Sequence, residues 1–198
     1  MEHNVFEQMA NRYDTEERIE LANIIVKEVK AELQHSTTKS LLDYGSGTGL
    51  ISLELAELVD SILLVDSSKQ MLEVAEAKIS RKGILNSSVL YSDFTQETPE
   101  LKSDIIIMSL VLLHIPDTTK ILQELFTILN DGGKLMIIDF DKNEKISHPK
   151  VHNGFSHEEL QEKLEEVGFQ SNEIKTFHHG KGIFMKQDAA MFISTSIK

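Results

Sequence analysis

The chain has 198 residues, 32 acids against 20 bases, a formal net charge of −12 and no cysteine. That length suits one domain able to bury roughly 70% of its unfolded surface with no disulfide or thiolate metal site to help. The acidity disfavours a polyanionic partner such as nucleic acid, and the lack of cysteine fits a reducing cytoplasm.

Residues 1–38 read as a helical, polar N-terminal arm. A first piece, Val5 to Asp14, is a short helix or an ordered arm. In the next, Ile19, Ala22, Ile25, Val26, Val29 and Leu33 recur at three- and four-residue steps and make one apolar stripe. Asp14 or Thr15 caps it, with Glu16 and Glu17 in its positive first turn. The start, Met1 to Met9, lacks the basic residues and apolar core of a secretory signal.

From Lys39 the pattern alternates. Ser40–Tyr44 is a strand, Leu50–Leu58 a helix with Leu50, Leu53 and Ala56 inward, and Ser61–Val65 a strand ending at Asp66. Lys69–Ser80 is a helix stopped by Gly83, and Ser88–Tyr91 a third strand. Asp104–Leu110 is a fourth, apolar on both faces as buried parallel strands are. The apolar run it belongs to, Ile105 to Leu113, is broken by Ser109 and falls far short of the ~20 residues of a membrane helix. Asp117–Leu129 is a helix, closed by Asp131-Gly132-Gly133 before a fifth strand, Lys134–Phe140.

Asp141–Pro149 is a polar surface loop. Ser156 and Glu159 form a capping box for a helix that ends at Gly168. Gln170–Phe177 and Ile183–Ser196 are a closing antiparallel pair joined through His178-His179-Gly180-Lys181-Gly182, with a bulge or turn at Lys186–Ala190. Strands alternating with helices predict a parallel sheet covered on both faces. No repeat or low-complexity tract marks a boundary, so the whole chain is expected to be one domain.

Asp43-Tyr44-Gly45-Ser46-Gly47-Thr48-Gly49 sits where the first strand gives way to a helix. Glycine permits positive φ and removes the Cβ that would block close approach of a ligand. A dinucleotide site spaces its glycines G-x-G-x-x-G, and here the third comes one position early. A Walker loop needs Lys-Ser/Thr after its last glycine, and this chain has Leu50-Ile51. Neither phosphate reading fits. Asp66, about twenty residues on, stands where a ribose-binding acid is expected; the alternative is a cap for the helix after Ser67-Ser68.

Leu41 to Gly49 resembles the first motif of the class I S-adenosylmethionine-dependent methyltransferases, small-molecule branch. Ile62 to Asp66 resembles that family's second strand with its ribose acid, and Tyr91-Ser92-Asp93-Phe94 its adenine-side acid. Asp104–Asp117, Leu129–Phe140 and Phe155–Phe169 are similar to its later elements. The resemblance implies a Rossmann-like doubly wound α/β sheet in the order 3-2-1-4-5-7-6, mostly parallel with a C-terminal antiparallel strand and helices on both faces. Residues 39–140 would form the cofactor-binding core, and 141–198 the end of the sheet with acceptor-side loops. It implies S-adenosylmethionine as cofactor, with Tyr13, Asp43, Gly45, Ser46, Gly47, Gly49, Asp66, Ser67, Met71, Asp93, Phe94 and Leu110 as its contacts. Asp66 takes the ribose hydroxyls, and Asp93 the adenine amino group with Phe94 beside the ring. Asp43 meets loop N–H groups or the cofactor ammonium, or is structural. Tyr13 brings its hydroxyl to the cofactor carboxylate or packs the arm onto the domain.

Methyl transfer needs a base only when the acceptor must lose a proton. His114, at the fourth strand's exit, is the candidate; His-x-Pro-Asp also reads as a structural start of a helix. His178 and His179 face opposite ways on a strand and make a poor chelating pair; no metal is expected. His148, His152 and His157 lie scattered over a polar segment and read as solvated. The acceptor is expected to be a small molecule, bound near Phe6, Tyr13, Phe140 and Phe155, in a monomer or a homodimer. Competing readings are a nicotinamide oxidoreductase, a non-catalytic cofactor-binding module, and a methyltransferase for protein or RNA.

Overall fold

A computed structural model describes residues 8–198. The chain divides into two compact units, one ending at Pro99 and the other spanning Glu100–Lys198.

In the first unit a 3-10 turn, Ala10–Arg12, precedes helix α1, Glu16–Glu32. Thr15 supplies the cap, its Oγ1 accepting the Arg18 N–H at 3.3 Å. Ala22, Ile25, Val26 and Val29 form the buried stripe that the spacing predicts. Phe6 and the start of the expected first helix lie outside the described residues.

Three parallel strands follow: β1, Ser40–Tyr44; β2, Ser61–Asp66; and β3, Ser87–Tyr91. Between β1 and β2 the expected α-helix is a 3-10 helix, Ser52–Leu58, and it buries Ser52, Leu53 and Leu55 rather than Leu50 and Ala56. The tighter winding, three residues per turn, rotates the apolar face away from the 3.6-residue pattern. Helix α2, Lys69–Lys82, buries Met71, Leu72 and Ala75. Ser68 caps it and Gly83 ends it in a left-handed conformation.

The second unit opens with β4, Ser103–Ser109. Leu110, expected to be its last residue, leaves the strand at φ 56° while its N–H donates to the Ile138 carbonyl. A 3-10 turn, Leu112–His114, leads to α3, Thr118–Ile128, capped by Asp117. Ile121, Leu122, Leu125 and Ile128 are buried, each contributing about 1.5–3 kcal/mol of burial.

Strand β5, Leu129–Phe140, begins five residues earlier than expected, because Asn130–Gly133 form an irregularity inside the strand rather than a loop before it. Its buried run Leu135–Ile137 pairs with Ile106–Met108 of β4, so these neighbours are apolar on both faces. Helix α4, His157–Val167, has the predicted Ser156 cap and Gly168 stop.

Strands β6, Gln170–Phe184, and β7, Gln187–Ile197, form a long antiparallel hairpin. Its turn is Met185–Lys186, both left-handed, not the glycine-rich segment at 178–182. Gly180 and Gly182 instead sit where the register between the two strands shifts. The seven strands run in the order β3-β2-β1-β4-β5-β7-β6, with β7 antiparallel to its neighbours. This is the Rossmann-like order expected from the resemblance.

Candidate functional site

The glycine loop is folded by β2. The Gly45 and Ser46 N–H groups both donate to the Val65 carbonyl, at 2.8 and 3.0 Å. The Gly47 N–H donates to Asp66 Oδ2 at 2.8 Å, and the Ser68 N–H to Asp66 Oδ1 at 2.8 Å. Asp66 is thus aimed at the loop, each oxygen held by one backbone donor.

Gly47 and Gly49 do different work. Gly47 has φ +54°, and a Cβ there would find only the Tyr13 ring, at 3.9 Å. Gly49 has φ +73°, and its Cβ would lie 2.9 Å from side-chain atoms of Leu53 and Leu64. Gly47 faces open space; Gly49 lets the loop close onto the core.

The upstream arm is fastened here. Thr48 Oγ1 donates to Asp14 Oδ1 at 2.6 Å. Lys78 of α2 pairs with Asp14 Oδ2 at 2.5 Å and donates to the Thr48 carbonyl at 2.8 Å. Arg18 stacks on the Tyr13 ring, 4.1 Å from its centroid, and donates to the Tyr13 carbonyl. Burial raises the Tyr13 phenol pKa, with Arg18 opposing and the carboxylates of Asp66 and Asp14 adding to the rise. The phenol is therefore a hydrogen-bond donor at neutral pH. Sequence spacing carries no signal for the tie between Asp14, Thr48 and Lys78, whose members come from three separate segments.

Asp43 is buried beneath the loop, and burial pushes its carboxyl up to about 7. The N–H groups of Gly45, Ser46 and Gly47 go to Val65 and Asp66, not to Asp43. Asp93 accepts from the Thr95 N–H and hydroxyl on Oδ1, at 3.0 and 2.6 Å. It lines a cleft of roughly 580 Å³ with Ser67, Leu90, Tyr91, Ser92, Gln96, Glu97 and Pro99. Phe94 does not line that cleft. It is 1% exposed and stacks on Tyr44 with centroids 4.7 Å apart, because a ring this size is better buried than left in an acidic loop. Met71 is likewise a core residue, in the first turn of α2.

In the second unit the exit from β4 is clamped. The buried Asp139 accepts the Leu113 N–H on one oxygen at 3.1 Å and the Phe140 N–H on the other at 2.8 Å. Burial pushes Asp139 up to about 7, against the pull of those two bonds. The His152 N–H donates to the Leu113 carbonyl, and its ring bonds the Ile115 carbonyl at 2.9 Å. His114 ends the turn, its pKa lowered by burial and further by His148. His157 pairs with Asp141 at 2.9 Å. His152 is therefore a structural partner rather than a solvated side chain, whereas His157 pairs with Asp141 while remaining 40% exposed. Asp139 was legible as the one acid in an otherwise apolar strand end.

A family model described as a methyltransferase domain matches residues 35–190. The chain belongs to the methyltransferase-domain family.

Among solved structures, this methyltransferase domain is similar to a SAM-dependent methyltransferase from Aquifex aeolicus, at 22% identity and a TM-score of 0.72, over 96% of this chain and 97% of that one. It is also similar to the methyltransferase solved with the Trm112 activator of Haloferax volcanii, at 16% identity and a TM-score of 0.80, over 98% and 97% of the two chains. A curated relative, the ubiquinone/menaquinone biosynthesis C-methyltransferase UbiE of Vibrio parahaemolyticus, is 28% identical over 121 residues. That match covers 59% of this chain and 47% of the relative, so the chain spans about half the length of the curated relatives it matches. Among the described residues no helix is long and apolar enough to cross a membrane.

Proposed function

We propose that this methyltransferase domain transfers a methyl group from S-adenosylmethionine to a small-molecule acceptor in the cytoplasm, the described chain acting as one catalytic domain. The observation that carries the reading is Asp66, held by the Gly47 and Ser68 N–H groups beside a glycine bend. An acid at that point repels phosphate and suits ribose hydroxyls, which donate to it in charge-assisted bonds. The loop itself, 43–49, contains no Lys or Arg to hold a pyrophosphate. The space beside Gly47, bounded by the Tyr13 ring, would admit an adenosyl edge. These residues fit the cofactor.

Asp66 would hold the ribose and Ser67 and Asp93 the adenine side, where the cleft lies. Tyr13 would cover the loop and exclude water. Gly45, Ser46 and Gly49 shape the bend, Met71 and Phe94 support it from the core, and Asp43 lies beneath it. Leu110 belongs to the β4 exit that such ligands meet in this fold.

S-adenosylmethionine supplies a methyl group already activated on a sulfonium, so the protein orients and desolvates rather than activates. His114 is the group to take a proton from an acceptor that must lose one. Its lowered pKa keeps the imidazole neutral, and so basic, at pH 7. The net charge of −12 favours a small acceptor over RNA.

Titration calorimetry with S-adenosylmethionine and S-adenosylhomocysteine tests the reading. Saturable binding of both, with no NADH binding, is expected; a folded protein that binds neither refutes it. Radiolabelled methyl release to an acceptor panel distinguishes the enzyme from a non-catalytic binding module.

A further inference from the structure

A second cleft, of roughly 450 Å³, lies wholly within the second unit. One wall is Asp141–Asn143, directly beyond the carboxyl end of β5. The other is the β6–β7 hairpin, through His179, Gly180 and Lys181 on one strand and Asp188, Ala189 and Ala190 on the other. Carboxyl ends of strands are where open α/β sheets hold their ligands.

The walls are preformed. The Asp141 N–H donates to the Ala190 carbonyl, and the Asn143 amide to the Asp188 carbonyl at 3.0 Å. Beyond the cleft the hairpin tip is pinned by Phe184, stacked on Phe140 with centroids 4.3 Å apart and planes 7° from parallel. The one ring in the lining is the imidazole of His179, and Ala189 and Ala190 are small.

The charges divide by whether the protein itself satisfies them. Asp141 accepts from His157 on one oxygen and from Thr176 on the other, at 2.9 and 2.7 Å. Asp188 accepts the Gly182 N–H at 2.9 Å. Lys142 pairs with Glu159 at 2.9 Å. Lys181 and His179 have no ion-pair partner among the described residues, and both side chains are exposed. Both acids of this cleft accept hydrogen bonds from within the protein, Asp141 on two oxygens and Asp188 on one, whereas Lys181 and His179 have no ion-pair partner among the described residues.

We propose that the cleft binds a small anionic group, a carboxylate or a phosphate, between Lys181 and His179. Lysine offers three donors on a point charge, and an imidazole keeps one N–H to donate even when neutral. A −12 protein repels anions at long range, but that field is screened beyond about 8 Å at physiological salt, leaving local donors to decide. With a single imidazole as its only ring, the lining suits a hydrophilic anion better than a large planar ring. Anion binding here stands whether or not the chain transfers methyl groups; if it does, the cleft would take the polar end of its acceptor.

The test is an amide ¹⁵N–¹H titration of the full chain at constant ionic strength, with inorganic phosphate and with acetate, and chloride as the control. Saturable shifts are expected at residues 142–143, 179–182 and 188–190 with phosphate or acetate and not with chloride. The tighter of the two identifies the group. Lys181→Met is expected to weaken binding about fivefold, and Lys181→Met with His179→Ala to abolish it, while S-adenosylhomocysteine affinity is unchanged in both. Shifts that do not saturate, that centre elsewhere, or that survive the double variant overturn the proposal. Loss of cofactor binding in the unmodified protein alongside intact anion shifts would refute the methyltransferase activity and leave this site standing.

Discussion

The two glycines of the bend offer a controlled comparison, Gly47→Ala against Gly49→Ala. Both have positive φ, +54° and +73°, so both alanines carry the left-handed cost of about 1–2 kcal/mol. They differ in what the new methyl meets. At Gly47 the nearest atom is 3.9 Å away, ordinary contact; at Gly49 two leucine side chains stand at 2.9 Å. Leu64 is fully buried and Leu53 nearly so, leaving little room to yield. Overpacking of this kind costs about 1–3 kcal/mol more. For a chain of this size that difference is about 2–12 °C in Tm. Differential scanning calorimetry on both variants reads it, with S-adenosylhomocysteine titrations alongside. Gly49→Ala should melt well below Gly47→Ala, whereas Gly47→Ala should lose cofactor affinity while melting only about 2–8 °C below the parent. Equal melting points, or an unimpaired cofactor affinity in Gly47→Ala, would refute the division of labour.

Asp66→Asn leaves one acceptor oxygen for two backbone donors and turns its NH₂ toward one of them. Cofactor affinity should fall by at least about tenfold, with calorimetry as the measure; unchanged affinity removes Asp66 from the ribose site. Asp139 has a folded pKa of about 7 against an ordinary 3.8. A raised acid stabilises fully below the lower value and loses that contribution as pH rises through the higher one. Urea titrations at pH 5 and pH 8 should therefore show Asp139→Asn gaining on the parent at the higher pH, by about 2–3 kcal/mol between the two; parallel pH profiles refute the assignment. Lys78→Met removes the cation from Asp14 and Thr48. It should raise the cofactor Kd with a Tm change of about 1–3 °C, and an unchanged Kd would show the tie to be irrelevant to binding.

The legible parts of this protein are those that local chemistry alone decides. Ser156 with Glu159, and Gly83 and Gly168, marked helix ends because capping is settled within a few residues. The sheet order followed from a resemblance carried by Leu41–Gly49 and Ile62–Asp66. The hairpin turn was misplaced because glycines usually make turns, while here Met185 and Lys186 adopt left-handed backbone and the glycines accommodate a register shift. His152 was misjudged because its partner, the Ile115 carbonyl, is distant in sequence. At the site, Asp66 was read from its spacing as a ribose acid or a cap, and its carboxylate bonds both the glycine bend and the Ser68 N–H. Phe94 was expected beside a ligand, but its ring packs on Tyr44, a choice that depends on the room available inside the core.

Asp14 reaches Thr48 across 34 residues of chain. A wall delivered from so far upstream can be withdrawn without disturbing the strands beneath it. The cover of the glycine bend is thus held by side-chain bonds rather than by a strand ladder, and its amides near residues 10–15 should exchange with solvent at lower free energy than those of β1. A ligand that seats under Tyr13 would draw that energy upward, so capture and local ordering become a single event.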